Sequence, residues 1–145
     1  MSQPYRIAGK PVAMSQSYRI LHVDNDSDMR LVVEMATLLD TDMTIRSVAS
    51  GAAALDLCLE QHARPDILML DYRLPDMSGP DLLRRLRCDP AFAKMPVIFL
   101  TDSAGHEAEE EMRVLDPAGI LNKPFNPLSL AIDIRLMADR WSAMH

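Results

Sequence analysis

The chain is short of cysteine, of positive charge and of long apolar runs, and each shortage removes a class of function. Its two cysteines, Cys58 and Cys88, stand alone; lacking the close pairs of a zinc or redox site, they read as inert packing residues. Fifteen Lys and Arg against 21 Asp and Glu leave a formal net charge of -6, so a nucleic-acid partner is not expected. No apolar run approaches a bilayer span, and the N-terminus has no charged segment leading into a long apolar stretch. A membrane protein and a secretory leader are therefore set aside, and a cytoplasmic location is the expectation. His62, His106 and His145 fall at no metal-binding interval, and His22, inside a strand, reads as a core residue.

The chain that remains has 145 residues, 48% apolar and 25% charged, enough for one ordinary globular core. Strand and helix patterns alternate along it. Short runs rich in branched residues predict strands at about 18–23, 43–48, 66–70, 96–101 and 119–122. Helical patterns fall between them at about 27–39, 50–62, 78–87, 105–115 and 127–141. Three of the strands, "DILML", "PVIFL" and "GILN", are nearly continuous apolar runs, as parallel strands covered on both faces require. Five βα units and an α/β sheet follow. Ser50 is the expected N-cap of the second helix; Asn126 and Pro127 are the expected cap and first turn of the last.

Residues 1–17 differ. "MSQPYRI" at Met1 to Ile7 nearly repeats as "MSQSYRI" at Met14 to Ile20, too short for a repeat architecture. A mobile extension over 1–17, ahead of a domain over 18–145, is the expectation.

Chemistry gathers where strands should end. Asp24, Asn25 and Asp26 follow the first strand, Asp71 the third, Thr101 closes the fourth and Lys123 follows the fifth. In a doubly wound sheet these ends share one crevice. Two carboxylates about 4 Å apart repel by roughly 4 kcal/mol at an effective dielectric of 20, which invites a cation. An oxygen-only donor set with few protein ligands suits Mg2+. Thr101 offers a hydroxyl, and Lys123 a point charge, to phosphoryl oxygens.

These motifs, "VDND", "LMLDYRLPDMSG", "IFLTD" and "NKPF", in this order over about residues 18–141, resemble the receiver domain of two-component response regulators. The resemblance implies a flavodoxin-like doubly wound sheet of five parallel strands, order 2-1-3-4-5, with five helices. It implies a phosphorylation-dependent switch that catalyses only its own phosphorylation and dephosphorylation. Asp71 would accept the phosphoryl group from the phosphohistidine of a sensor histidine kinase or histidine phosphotransfer protein. Asp24, Asn25, Asp71 and the backbone carbonyl of Arg73 would hold Mg2+, with Thr101 and Lys123 on the phosphoryl oxygens. With no output domain after Trp141, a stand-alone receiver that docks to a further protein or passes the group onward is expected. Pro75 would stiffen the "LPDMSG" loop, and Gly79 would ease backbone demands where the third helix begins.

Three positions depart from the family pattern. Asn25 stands where a second acid is usual, which keeps an oxygen ligand but drops one charge and should weaken Mg2+ binding. Asp102 stands where a small residue is usual. Ile120 occupies the place of an aromatic ring that turns inward on activation, so the usual ring switch is absent. These departures motivate an alternative, a phosphate-independent interaction module on the same fold. A haloacid-dehalogenase-like phosphatase is disfavoured, because Arg73 stands where that family wants a second acid.

Two helices are more apolar than one buried face requires. At 100° per residue the last helix carries Leu130, Ile134, Met137 and Trp141 on one stripe and Leu128, Ile132 and Leu136 on another. The first carries Met29, Val32, Val33, Ala36 and Leu39 beside Leu31, Met35 and Leu38. One stripe of each should cover the sheet, leaving the other for a partner or a homodimer. In the family the first helix meets the phosphodonor, which makes Leu31 and Met35 candidate docking residues. The acidic stretch Glu107, Glu109, Glu110 and Glu111 reads as a solvated helix start.

Overall fold

The computed structural model describes residues 16–102 and 105–145. The expected extension over 1–17 therefore lies almost wholly outside the described residues. The chain alternates β1 Tyr18–Val23, α1 Ser27–Thr37, β2 Met43–Val48, α2 Gly51–Leu55, β3 Ile67–Asp71, α3 Gly79–Leu86, β4 Val97–Thr101, α4 His106–Arg113, β5 Gly119–Asn122 and α5 Leu130–Met144. The five strands form one sheet in the order β2-β1-β3-β4-β5, all paired in parallel. The order reverses beside β1, so the ends of β1 and β3 are adjacent and open a crevice between them.

Both faces of the sheet are covered, which explains the unbroken apolar runs. Leu68 and Leu70 of β3 and Val97 and Phe99 of β4 join Leu82, Leu83 and Leu86 of α3 and Met112 of α4 in one core. Ile67, Met69, Ile98 and Leu100, the alternate residues, join Val33 and Ala36 of α1 and Leu130 and Ile134 of α5 in the other. Every central residue of β3 and β4 is thus removed from water, worth roughly 1.5–3 kcal/mol per large apolar side chain.

Several element ends depart from the expectations. Asp71 is the last residue of its strand and not the one after it, whereas Thr101 closes β4 as expected; both are paired in the sheet, Asp71 opposite Leu100 and Thr101 opposite Asn122. The last helix starts at Leu130, not at Pro127. The Asn126 carboxamide accepts from the Leu128 N–H at 2.9 Å and the Asn126 carbonyl from the Ser129 N–H at 3.1 Å. Asn126 therefore closes a separate turn, and the helix begins at Ser129, whose carbonyl accepts from Asp133 at 2.9 Å. The second helix opens at Gly51 on the expected Ser50 cap but widens into a π turn over Asp56–Glu60.

Exposure also corrects two readings. Cys58 is buried, whereas Cys88 is exposed and so is not a packing residue. On α1 the buried face is Val33, Ala36 and Thr37 only; Leu39, expected inside, is 62% exposed. On α5 the division holds, with Leu130, Ile134 and Trp141 buried and Leu128, Ile132 and Leu136 exposed.

Candidate functional site

Asp24 leaves β1 on the same side as Tyr18, Ile20 and His22, and its side chain is wholly buried. Its Oδ1 accepts from the Asp26 N–H at 2.9 Å, and its carbonyl accepts from Arg30 Nη1 at 2.8 Å. Asp26 itself is not a pocket acid: its carboxylate caps α1, accepting from the Asp28 and Met29 N–H groups. The N-cap preference for Asp accounts for that commitment.

Lys123 reaches back from the end of β5. Its Nζ donates to Asp24 Oδ2 at 3.1 Å and lies 3.3 Å from Asp71 Oδ2, so one ammonium bridges both carboxylates. The Lys123 N–H donates to the Thr101 carbonyl at 2.7 Å, which ties the lysine to the end of β4. Thr101 is 2% exposed. Four of the expected residues, Asp24, Asp71, Thr101 and Lys123, thus stand on adjoining strand ends.

The pocket separates the two acids electrostatically. Burial pushes Asp24 up, but His22, the Asp26 N–H and Lys123 outweigh it and hold the carboxyl at about 2. Burial and the Asp24 charge push Asp71 above the ordinary carboxylate range, with Lys123 and the Arg73 N–H opposing. Burial would lower Lys123, yet Asp71 and Asp24 together raise it. Two carboxylates share one ammonium, so the cluster keeps an excess negative charge.

The other expected ligands sit at the margin. Asn25 is exposed in the turn after β1, and Arg73 is exposed beside β3, its backbone bridged to Ser78. Among the described residues no three His, Cys, Asp or Glu side chains form a ready metal cage. Two carboxylates with one amide and one carbonyl oxygen nearby still suit a hard cation that keeps several waters. Asp102 is exposed, which leaves its carboxylate in solvent.

Gly79 supports the site by its smallness. Its φ is not positive; a Cβ there would collide with the Asp71 carbonyl oxygen. The expected reason, relaxed backbone demand, is replaced by close approach.

Sequence reading set His22 on the same side of β1 as Asp24 and read it as a core residue, as its burial bears out, and missed two further neighbours, Arg30 and Tyr72. His22 is fully buried, its Nε2 facing Asp24 Oδ2 at 3.5 Å, long for a hydrogen bond, and its Nδ1 makes no hydrogen bond among the described residues. Arg30 holds the Asp24 backbone from α1. Tyr72, next to Asp71, donates from its phenol to Glu111 Oε1 at 2.8 Å. Of the three, only His22 had a local signal, its strand parity with Asp24.

The response regulator receiver domain model matches residues 20–135. The polar-differentiation response regulator DivK of Brucella ovis is 33% identical over 113 residues, covering 78% of this chain and 88% of the relative. Among solved structures, the chemotaxis protein CheY4 of Vibrio cholerae is 28% identical with a TM-score of 0.73, covering 83% of this chain and 98% of that one. A CheY-like receiver domain protein of Methanospirillum hungatei has a TM-score of 0.77 at 22% identity, covering 88% of this chain and 98% of that one, a likeness of fold alone.

Proposed function

This chain belongs to the response regulator receiver domain family, and on that premise we propose that Asp71 is the residue on which its phosphorylation-dependent signalling turns. A carboxylate oxygen of Asp71 bonds to phosphorus while the P–N bond of a phosphohistidine breaks. The imidazole leaves with a proton, and the product is an acyl phosphate. The donor is a sensor histidine kinase or a histidine phosphotransfer protein. The protein then signals by docking or passes the group on, and it catalyses its own dephosphorylation.

One observation carries this reading: the Lys123 ammonium lies 3.1 Å from Asp24 Oδ2 and 3.3 Å from Asp71 Oδ2. Lys123 would compensate charge on a phosphoryl oxygen at Asp71, and the Thr101 hydroxyl would donate to another. Asp24, Asn25, Asp71 and the Arg73 carbonyl would hold Mg2+, which supplies further charge compensation for the transferring group when bound. The raised pKa of Asp71 is consistent with an acid kept short of cations.

The donor docks on the α1 and α5 layer. Leu31 and Met35 are 55% and 61% exposed, and Leu38, Ile132 and Leu136 continue the apolar surface. These large apolar side chains are exposed on two helices that cover the same face of the sheet. The same face would serve a homodimer.

The test is to incubate the protein with Mg2+ and acetyl phosphate and weigh it intact. The wild type gains one phosphoryl mass and Asp71→Asn gains none. A partner bound equally by wild type, phosphorylated protein and Asp71→Asn would establish the phosphate-independent module instead.

A further inference from the structure

The position expected to hold a switching ring holds Ile120, half-buried against the core beneath α2, α3 and α4. Some other group must carry a change at Asp71 to the surface. We infer that Tyr72 does so, by latching α4 to the phosphorylation site through Glu111; the inference rests on Asp71 being the phosphoacceptor.

The backbone at Asp71 and Tyr72 is pinned from two sides. The Tyr72 N–H donates to the Leu100 carbonyl at 2.8 Å, and its carbonyl accepts from the Gly79 N–H at 2.8 Å. At Gly79 the backbone of α3 approaches the Asp71 carbonyl so closely that a Cβ has no room. A disturbance at Asp71 therefore has little slack in its own loop.

The Tyr72 side chain leads from this pinned point to two helices. Its phenol donates to Glu111 Oε1 at 2.8 Å, and Glu111 Oε2 lies 3.6 Å from Arg84 Nη2. Arg84 in turn donates from Nη1 to Asp81 Oδ1 at 2.8 Å within α3. Glu111, part of a run read as solvated, is thus the acceptor that joins α4 to the residue following β3.

Among the residues of α4 only Met112 is buried, adjacent to Glu111. A change of charge at Asp71 acts on the adjacent Tyr72 and, through its phenol, on the last turn of α4 at Glu111. The latch sets the unphosphorylated position of α4, and phosphorylation works against it. Elements with few buried contacts open most readily, so one hydrogen bond to a charged acceptor controls a large share of the local equilibrium.

Hydrogen exchange over residues 106–113 of the full chain tests this, in wild type and Tyr72→Phe, with and without Mg2+ and beryllofluoride. In wild type, beryllofluoride raises exchange of the α4 segment by about tenfold, the scale of losing one charge-assisted hydrogen bond. In Tyr72→Phe exchange is raised beforehand, and beryllofluoride adds less than about twofold. Phosphoryl uptake from acetyl phosphate, read as intact mass, stays at the wild-type level. Glu111→Gln, which keeps an acceptor for the phenol, retains most of the response, whereas Glu111→Ala behaves like Tyr72→Phe.

A Tyr72→Phe protein that keeps the full wild-type change overturns the coupling and leaves the Asp71 assignment standing. So does wild-type protein that gains phosphoryl mass with α4 exchange unmoved. Loss of uptake in Tyr72→Phe also overturns it, since Tyr72 would then belong to the transfer site. Failure of the wild type to take up any phosphoryl group overturns both readings.

Discussion

Replacing Lys123 by Met should destabilise the protein strongly at neutral pH and far less in mild acid. The two contacts of Nζ, 3.1 and 3.3 Å, mean that Asp24 Oδ2 and Asp71 Oδ2 lie no more than about 6.4 Å apart. At that separation and an effective dielectric of 20 the repulsion is at least about 2.6 kcal/mol. Side-chain exposures of 12%, 0% and 14% for Lys123, Asp24 and Asp71 leave little solvent to screen it. Breaking a buried pair from one side costs about 3–5 kcal/mol, and we expect a loss of about 3 kcal/mol at pH 7.5. The pH dependence has a definite sign. Asp71 is already raised in the folded state, so its ionisation costs stability as pH rises from its unfolded value through its folded one. Without Lys123 that cost grows, and protonating Asp71 removes it, so the deficit should shrink to about 1 kcal/mol at pH 4.5. Urea unfolding followed by the fluorescence of Trp141, the sole tryptophan and 8% exposed, measures both values. A deficit below about 1 kcal/mol at pH 7.5, or one equal at the two pH values, would refute the shared-ammonium argument.

Asp71→Asn should be more stable than wild type by about 1 kcal/mol at pH 7.5, because it deletes a buried charge beside Asp24, and the gain should vanish near pH 4; equal unfolding midpoints at pH 7.5 would contradict this. Gly79→Ala should cost about 1–3 kcal/mol through its collision with the Asp71 carbonyl and slow phosphoryl uptake, both checked on one preparation by urea melts and intact mass. Asn25→Asp should tighten Mg2+ binding about tenfold by adding one negative ligand, read by calorimetric titration. Leu31→Glu should move stability by less than about 0.5 kcal/mol, since the side chain is 55% exposed, yet slow transfer from a phosphohistidine donor protein without slowing uptake from acetyl phosphate.

The strands were legible because burial on both faces writes itself as unbroken apolar runs, and each observed strand starts and ends within a residue of its expected bounds. Their order was not in the periodicity; it came from the resemblance to the family. Helix ends were read less well where two local signals competed. Asn126 and Pro127 look like a cap and first turn, but Asn126 spends its side chain on Leu128 and closes a turn of its own. The π turn over Asp56–Glu60 left no compositional mark. Single-helix periodicity placed Leu39 inside, yet the buried arc of α1 spans only Val33, Ala36 and Thr37. In the pocket, residue types and strand ends were readable, while Lys123 bridging both acids was not, since residues 24, 71 and 123 meet only through the sheet order. Tyr72 and Glu111, 39 positions apart, gave no sign of each other.

Charge counting explains why Asn25 suits this pocket. Asp24, Asp71 and Lys123 leave one negative charge in excess, consistent with burial and Asp24 pushing Asp71 upward. On the proposed reading, a dication alone turns that excess positive. A phosphoryl group, which replaces one carboxylate charge with close to two, returns the pocket to neutrality. A second acid at position 25 would tighten the metal but leave the phosphorylated pocket negative again. Position 25 is exposed, so solvent screens part of such a charge, and on the proposed reading the amide gives the phosphorylated, metal-bound form a modest advantage at the expense of metal affinity before transfer. That balance assigns the weaker binding of the ion and the stability of the product to the same residue.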